Sequence, residues 1–224
     1  PRRRRRGQQR QAVAVSDLLV ADMSSMWAGP LCGSLFADAG ATVVKVESPR
    51  RTDGTRSGPP AFFDWVNGGK LSVALDFDRD IEILRGLLEV ADVVIEGSRP
   101  AALVRRGLGP DDITGRPGRV WLRITGYGAT GDGAHAAAFG DDAAVAGGLV
   151  GRCSSGPVFC ADAIADPLTG LQAALAVVES LDAGGGEVID VSLAETAATY
   201  AALPMAAPGA FTAVPPSVPT APSR

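Results

Sequence analysis

One stretch near the amino terminus, residues 18–49, constrains the fold of this chain more than any other. It combines an apolar strand, a Gly-Pro turn, a helix and a second apolar strand. The first strand shows no polar alternation, which is typical of a strand buried on both faces of a parallel sheet. Pro30 is expected at the first helical position and Gly40 at the stop. The stretch therefore predicts a βαβ unit, and residues 24–29 are expected to line a binding crevice, because ligands bind beyond the carboxyl ends of such strands.

The same alternation of strands and helices continues toward the carboxyl terminus. Further strands are expected at 71–77, 92–96, 119–125 and 187–191, and helices at 81–90, 141–149, 167–181 and from residue 192 onward. Strands that alternate with helices of this length are typical of βαβ repeats. The sequence therefore predicts an α/β fold with an open, mostly parallel, Rossmann-like sheet flanked by helices.

Composition divides the chain into three parts. Six of the 21 basic residues fall within the first ten positions. Such like-charge blocks are usually disordered, so residues 1–16 are expected to form an Arg-rich tail. Residues 17–202 carry the periodic pattern of one folded domain. Six prolines follow Leu203, so residues 203–224 are expected to form a Pro-rich tail or linker without regular structure.

Charge, hydropathy and cysteine content exclude several classes of function. Outside the arginine block, 15 basic residues face 25 acidic ones, which argues against a nucleic-acid partner. No apolar run approaches the length of a membrane span, so no membrane partner is expected. The three cysteines, at positions 32, 153 and 160, have neither metal-binding spacing nor an even count for disulfides. This pattern favours a reducing, cytoplasmic location and no metal.

Asp166 is the strongest candidate for covalent chemistry. It precedes Pro167 and an apolar helical pattern, so the local sequence predicts an N-cap followed by proline at the first helical position. A helix cap is by itself a structural role. The same geometry also suits catalysis, because the helix dipole and the backbone N–H groups hold a carboxylate there in its ionised, nucleophilic form.

A set of short motifs, in the same order along the chain, resembles the class III CoA-transferases, also called the CaiB/BaiF family. The motifs lie at residues 22–30, 37–41, 44–47, 67–76, 91–96, 99–100, 108–109, 124–128, 166–170 and 188–193. The resemblance covers residues 18–202 and implies the large domain of the CaiB/BaiF fold. Family members are usually close to twice this length, with a smaller second domain and an interlocked dimer. A homodimer, or a missing carboxyl-terminal half, is therefore implied here.

The resemblance also implies a reaction. Residues 166–170, Asp-Pro-Leu-Thr-Gly, occupy the place of the family's nucleophilic aspartate. By this resemblance Asp166 would attack an acyl-CoA thioester and give an acyl-aspartyl anhydride and free CoA thiolate. An incoming carboxylic acid would then take the acyl group, and CoA would close the cycle. The implied substrates are an acyl-CoA, which brings in coenzyme A, and an organic acid.

The resemblance further assigns positions that contact CoA. These are Met26, Trp27, Leu75, Gly97, Ser98, Arg105 and Tyr127. Gly97 stands for a common Asn, Ser48 for a common Arg and Asp78 for a common Lys. Each departure removes a polar or cationic contact, so weak CoA binding is expected. Trp27 stands where a formyl-CoA-specific member carries glutamine, which argues against formyl-CoA as the substrate.

Two alternatives remain open. Gly126, Gly128 and Gly131 match the G-x-G-x-x-G fingerprint after a predicted strand, which would suit an NAD-dependent oxidoreductase, although no apolar helix follows. The other alternative is an inactive or incomplete CoA-transferase fragment that at most binds CoA. A hydrolytic triad is disfavoured because His135 is the chain's single histidine. A racemase is disfavoured because Asp141 replaces the histidine of the family's racemases.

Overall fold

The computed structural model describes residues 1–98 and 101–204. Within these residues the predicted α/β architecture is confirmed, because a mostly parallel sheet is flanked by helices. The Arg99-Pro100 motif lies outside the described residues. So does the Pro-rich tail predicted for residues 203–224, from position 205 onward.

The elements follow the predicted order. The strands are β1 (Arg2–Arg5), β2 (Leu19–Met23), β3 (Thr42–Glu47), β4 (Leu71–Ala74), β5 (Val93–Glu96), β6 (Val120–Thr125), β7 (Val150–Cys153), β8 (Gly156–Phe159) and β9 (Glu187–Ser192). The helices are α1 (Ala28–Asp38), α2 (Pro60–Asn67), α3 (Ile81–Val90), α4 (Ala101–Val104), α5 (Gly140–Ala146), α6 (Ala165–Asp182) and α7 (Leu193–Ala201). The predicted strand 71–77 ends three residues early, at Ala74. The helix α2 and the hairpin of β7 and β8 are absent from the sequence prediction.

The order in which the chain adds strands to the sheet reverses between the neighbouring parallel strands β2 and β5. Its strand order is β1-β9-β6-β5-β2-β3-β4, and every neighbouring pair is parallel except β1 with β9. From β2 the chain moves outward through β3 and β4 and then crosses back to add β5 on the other side of β2. Such a switch point opens a crevice at the carboxyl ends of the two strands, and this is where α/β folds bind ligands.

The predicted βαβ unit is confirmed as β2, α1 and β3. The two strands pair in parallel from Leu19 opposite Thr42 to Asp22 opposite Lys45. The helix begins at Ala28, so Pro30 is its third residue and not its first, which corrects the prediction. Proline is tolerated there because the N–H groups of the first helical turn have no intrahelical partner.

Two apolar layers, one on each face of the sheet, form the core. On one face Phe36 of α1 and Val177 of α6 pack against strand residues such as Leu122. On the other face Leu84 and Leu88 of α3 pack in a second layer, together with strand residues such as Val94 and Trp121. Burying each large side chain contributes about 1.5–3 kcal/mol. Because both faces are covered, the central strands need no polar alternation.

The amino-terminal arginines form an edge strand. β1 pairs antiparallel with β9, with Arg2 opposite Asp190. The guanidinium of Arg3 lies against Glu179, and Arg4 lies 3.2 Å from Asp111. This differs from the disordered tail predicted for residues 1–16. The physical reason is that the acidic body of the protein supplies the carboxylates that an isolated arginine block lacks.

Candidate active site

A crevice lies at the carboxyl ends of β2, β5 and β6, as the sequence predicts. Its cavity has a volume of about 190 Å³, and five of the six residues 24–29 line it. Asp166 lies on the same wall. The other lining residues are Arg51, Gly97, Ser98, Ile124, Thr125, Gly126, Ala134, Ala136, Ala137, Ala138, Phe139 and Leu193.

Asp166 is the second residue of α6. The helix begins at Ala165, and Ile164 occupies the N-cap position without a side-chain cap, so the predicted capping role of Asp166 is corrected. A tight turn precedes the helix, where Ala163 has a φ of 44° and its carbonyl accepts a hydrogen bond from the Asp166 N–H at 2.8 Å. The Asp166 side chain is therefore not used to cap its own helix and is available to the crevice.

The helices α6 and α1 approach each other closely beside this carboxyl group. A Cβ added at Gly170 would lie 2.7 Å from the carbonyl oxygen of Ala28, so the two backbones meet without an intervening side chain. The contact brings the amino end of α1 close to the Asp166 carboxyl, where the backbone of Ala28 favours the ionised form and lowers the pKa of that group. The nucleophile candidate thus lies at the amino ends of two helices, where a negative charge is favoured.

Burial governs the ionisation of Asp166. It raises the pKa of this carboxyl group from 3.8 to about 6, while the backbone N–H groups of Ala28 and Gly140 lower it and the charges of Asp141 and Asp142 raise it further. The sequence predicts a carboxylate stabilised by the helix end. The structure adds a larger, opposing effect of desolvation. At neutral pH the group is still mainly ionised but poorly solvated, which suits a nucleophile.

A buried ion pair of Lys70 with Asp22 contacts the turn after β2. The Lys70 ammonium lies 2.7 Å from Asp22 Oδ2, and both side chains are at most 1 % exposed. The other oxygen of Asp22 accepts the backbone N–H of Ser24 at 3.0 Å. Burial, the largest influence, lowers the pKa of Lys70, while the charge of Asp22 opposes this shift.

A second buried ion pair holds the same turn from the side of β3. Lys45 Nζ donates to Asp53 Oδ2 at 2.6 Å and to the carbonyl oxygen of Ser24 at 2.7 Å. Asp53 Oδ1 in turn accepts the backbone N–H of Met26 at 3.1 Å. Burial is the largest single influence on Asp53 and raises its pKa. The hydrogen bond and charge of Lys45, together with the hydrogen bonds from Thr55, outweigh burial and bring the net pKa below its ordinary value.

A second cavity, of about 330 Å³, adjoins the first. The two share Ser25, Arg51, Gly97 and Ser98. Arginines and carboxylates line the outer part of the second cavity, where Arg50 lies 2.8 Å from Asp76 and Arg106 donates to Asp78 at 2.8 Å. Arg50 and Arg106 therefore lie in the same cavity as Ser48 and Asp78, the sites where the sequence lacks the family's usual cations, and both arginines are paired with carboxylates.

The structure brings four of the predicted site residues together. Asp166, Met26, Gly97 and Ser98 all line the first cavity. Their chain positions are far apart, and only the switch point of the sheet makes them neighbours.

The other four predicted residues lie outside the described linings of the two cavities. Trp27 packs edge-on against Phe62, with ring centroids 5.2 Å apart. Leu75 is 6 % exposed in the core, Arg105 is exposed after α4, and Tyr127 is half-buried in the loop after β6. Their contacts with CoA stay predictions.

Glu96 is a buried carboxyl group that the sequence analysis does not single out. It ends β5, is 1 % exposed, and accepts hydrogen bonds from Trp121 Nε1 at 2.9 Å and from the Ser98 hydroxyl at 3.1 Å. Burial raises its pKa to about 7, while these hydrogen bonds and the charge of Arg123 lower it. The signal that could have found it is a single carboxylate at the end of an otherwise apolar strand.

The loop that matches the dinucleotide fingerprint has a different structural context. Gly126, Gly128 and Gly131 are followed by a short 3-10 turn, Asp132–His135, and not by an α-helix. A dinucleotide fingerprint opens a helix whose amino terminus receives the pyrophosphate, so the arrangement disfavours that alternative. His135 is exposed on this turn. Asp141 accepts the Ala163 N–H at 2.9 Å and so fixes the turn ahead of α6.

Three further observations concern the described residues, 1–98 and 101–204. A third cavity, of about 240 Å³, lies at the amino ends of β6 and β9 and contains none of the predicted site residues. No group of three or more His, Cys, Asp or Glu side chains is arranged to hold a metal ion in this part of the chain. No helix there combines the length and the apolar character needed to cross a membrane.

Comparison with known proteins decides the family. The model of CoA-transferase family III matches residues 15–221. The chain belongs to CoA-transferase family III. The predicted resemblance to this family is thereby confirmed.

Relatives and solved structures agree with this assignment. The chain is 30% identical over 204 residues to succinyl-CoA–D-citramalate CoA-transferase of Chloroflexus aurantiacus, covering 84% of this chain and 51% of that protein. It is 35% identical over 191 residues to mouse succinyl-CoA:glutarate CoA-transferase, covering 78% and 44%. A CaiB/BaiF family protein from Brucella suis has a similar structure, with a TM-score of 0.76, 32% identity, and 86% and 56% coverage. The chain spans about half the length of the curated relatives it matches.

Proposed function

We propose that this protein transfers CoA from an acyl-CoA to a carboxylic acid, with Asp166 as the acyl-accepting nucleophile. The observation that carries the proposal is the position of Asp166. Its carboxyl group lines the switch-point cavity, lies beside the backbone of Ala28 and Gly140, and is half-buried. Family membership supports the general reaction, and the geometry supports this residue as the one that performs it.

In the first step, a carboxylate oxygen of Asp166 attacks the thioester carbonyl carbon. A C–O bond forms, the C–S bond breaks, and the sulfur leaves with the electron pair as CoA thiolate. The product on the protein is an acyl-aspartyl anhydride. The acceptor carboxylate then attacks the donor acyl carbon of this anhydride, and the C–O bond to Asp166 breaks, which regenerates the Asp166 carboxylate and leaves a donor–acceptor anhydride. The CoA thiolate attacks the acceptor acyl carbon of that anhydride, so a C–S bond forms, a C–O bond breaks, and the donor leaves as a free carboxylate. Each step exchanges one activated acyl group for another, so no external oxidant or reductant is required.

The backbone donors around Asp166 suit this chemistry. The Ala28 and Gly140 N–H groups face the carboxyl group, at the amino ends of α1 and α5. Negative charge that develops on an oxygen beside Asp166 is stabilised there by fixed dipoles at little reorganisation cost.

The adjoining cavity suits the nucleotide end of CoA. Arg50 and Arg106 line it and can form charge-assisted hydrogen bonds with phosphate oxygens. Both are paired with Asp76 or Asp78 in the free protein, so phosphates would exchange with these carboxylates. Gly97 and Ser98 line both cavities, Met26 lines the one that holds Asp166, and all three would contact the pantetheine arm. Three other predicted positions, Trp27, Leu75 and Tyr127, would then pack behind the residues that contact CoA.

The relatives guide the choice of substrates. Two of them are named for succinyl-CoA as donor, with D-citramalate or glutarate as acceptor. We therefore take succinyl-CoA as the first donor to test and short dicarboxylic acids as the first acceptors. We also place the reaction in the cytoplasm, since Cys32, Cys153 and Cys160 are all free thiols within the described residues.

The test is a turnover experiment with the 224-residue chain. Succinyl-CoA is mixed with glutarate, citramalate or acetate, and the CoA esters are separated and identified by mass. The proposal expects a new dicarboxyl-CoA ester that Asp166→Ala does not form. Binding of CoA without a new ester from a folded chain would instead support a fragment that only binds CoA. Binding of NAD would support the oxidoreductase alternative.

A further inference from the structure

The turn at residues 24–26 has an unusual backbone. Met26 has a φ of 74°, a left-handed conformation that residues with a side chain rarely adopt. Such a conformation persists only when its surroundings impose it, and these sites are frequently functional. Met26 is 38 % exposed and lines the cavity that holds Asp166. The turn therefore holds a strained shape at the place where a ligand would lie.

The Lys45–Asp53 pair supplies the contacts that impose this shape. Lys45 Nζ fixes the Ser24 carbonyl, and Asp53 Oδ1 fixes the Met26 N–H. The two ends of the turn are thus tied to one ion pair. Side-chain packing adds to the restraint, since a Cβ added at Gly54 would lie 3.0 Å from Met26 Sδ.

Stability alone does not explain this pair. The Lys45 and Asp53 side chains are 1 % and 0 % exposed, respectively, and taking both charges out of water costs about as much as their attraction returns. An apolar pair of similar volume would serve a core equally well. The contacts that an apolar pair would lose are the hydrogen bonds to the backbone of residues 24–26.

We propose that the Lys45–Asp53 pair is a positioning device for acyl transfer, which holds the 24–26 turn in the shape that aligns the thioester with Asp166. This proposal rests on the proposed function of the chain. Neither Lys45 nor Asp53 touches the substrate. They act through Ser24 and Met26, whose backbone and side chain form the wall of the cavity beside Asp166.

The test uses Asp53→Asn, which keeps the shape of the side chain and removes its charge. The chain has three methionines, at positions 23, 26 and 205, so ¹³C-methyl labelling gives three signals, and Met26→Leu identifies the one from Met26. We expect the Met26 methyl signal of Asp53→Asn to shift or broaden. We also expect acylation of Asp166 at saturating succinyl-CoA to slow at least tenfold, with circular dichroism unchanged.

The matched control is Asp190→Asn. It removes the carboxylate from a different, partly buried pair, Arg123–Asp190, which joins β6 to β9 and lies outside the 24–26 turn. This variant should leave the Met26 signal and the acylation rate as in the wild type. If Asp53→Asn does not fold, the double variant Lys45→Leu, Asp53→Asn leaves no unpaired buried charge, keeps the number of methionine signals at three, and should show the same two changes.

Two results overturn the proposal. An unchanged Met26 signal in Asp53→Asn, or in the double variant where it replaces Asp53→Asn, would show that the pair does not hold the turn. A moved signal with an unchanged acylation rate would show that the turn does not align the substrate. If the wild type itself is not acylated, the proposed function fails and the positioning role fails with it. The Met26 signal then still reports separately whether the pair holds the turn.

Discussion

Gly140 meets the carboxyl group of Asp166 with its backbone alone. A Cβ added at Gly140 would lie 2.5 Å from Asp166 Oδ2 and 2.2 Å from the carbonyl oxygen of Ala163. The first residue of α5 is therefore packed against the candidate nucleophile and against the turn that introduces α6. Only a residue without a side chain leaves both in place, and the same contact provides one of the N–H groups that face the carboxylate.

Gly140→Ala is expected to impair acylation of Asp166 at least tenfold and to lower the melting temperature, because the methyl group displaces the carboxylate and the Ala163 carbonyl. Acylation is measured by intact mass against time, and stability by thermal unfolding. Gly86→Ala is the control, since a Cβ at Gly86 in α3 meets nothing within 4 Å. It should raise stability by about 0.5–1 kcal/mol and leave acylation unchanged. Normal acylation in Gly140→Ala would contradict the close packing described here.

Asp166→Asn is expected to stabilise the protein at neutral pH. The pKa of this carboxyl group is raised to about 6 in the folded protein, from 3.8. The folded state therefore holds the proton to higher pH than the unfolded chain, and stability falls as pH rises through this window. At pH values above this window, ionised Asp166 lowers the free energy of unfolding by up to about 3 kcal/mol. The neutral amide of Asn removes this loss.

Urea unfolding at several pH values measures this difference. The gain in the free energy of unfolding of Asp166→Asn should be full at pH 7 and should vanish below about pH 4, where both states bind the proton. Asp162→Asn serves as the control because Asp162 is exposed in the same segment. A gain that is independent of pH would mean that burial does not shift the ionisation of Asp166.

Arg106→Ala is expected to weaken CoA binding roughly tenfold, as the loss of a hydrogen bond to a charged group typically costs about 1.5–3 kcal/mol. Both arginines are exposed, but Arg106 lines the second cavity, whereas its neighbour Arg105 is absent from the described lining. Arg105→Ala is the matched variant and should bind CoA nearly as the wild type does. Isothermal titration with free CoA compares the two. A larger loss in Arg105→Ala would favour the sequence-based assignment of Arg105 over the cavity described here.

The sequence predicted most of the fold because its signals are local and consistent. The apolar run before Ser24 and the helical spacing after Ala28 specify a βαβ unit without reference to the rest of the chain. Gly40, with a φ of 97°, marks the end of α1 as expected. The parallel sheet follows, because successive units of this kind add strands in one direction.

The site was predicted less completely because its properties depend on contacts between distant segments. Asp166 was recognised from its motif, but its raised pKa comes from burial by α1 and α5, which local sequence does not report. The choice between Arg105 and Arg106 depends on how the chain turns after α4. The edge strand formed by Arg2–Arg5 depends on acidic side chains more than 100 residues away.

The Lys45–Asp53 ion pair likewise depends on a contact between segments that the local sequence does not report. Lys45 lies in the middle of an apolar strand and Asp53 in a polar loop, and neither position alone predicts a partner. Their pairing emerges only when the loop after β3 folds back over the turn after β2. A charged residue inside a strand that is otherwise buried is the signal that could have prompted a search for one.

The most direct test of the account is the mass of the protein after brief exposure to succinyl-CoA. Wild type, Asp166→Ala and Asp162→Ala are compared, with released CoA thiol measured in parallel and folding checked by circular dichroism. The account predicts one added succinyl group on the wild type and on Asp162→Ala, located by peptide mapping to the segment containing Asp166, and none on Asp166→Ala. An adduct that persists in Asp166→Ala, or a folded wild type that neither gains mass nor releases thiol, would contradict it.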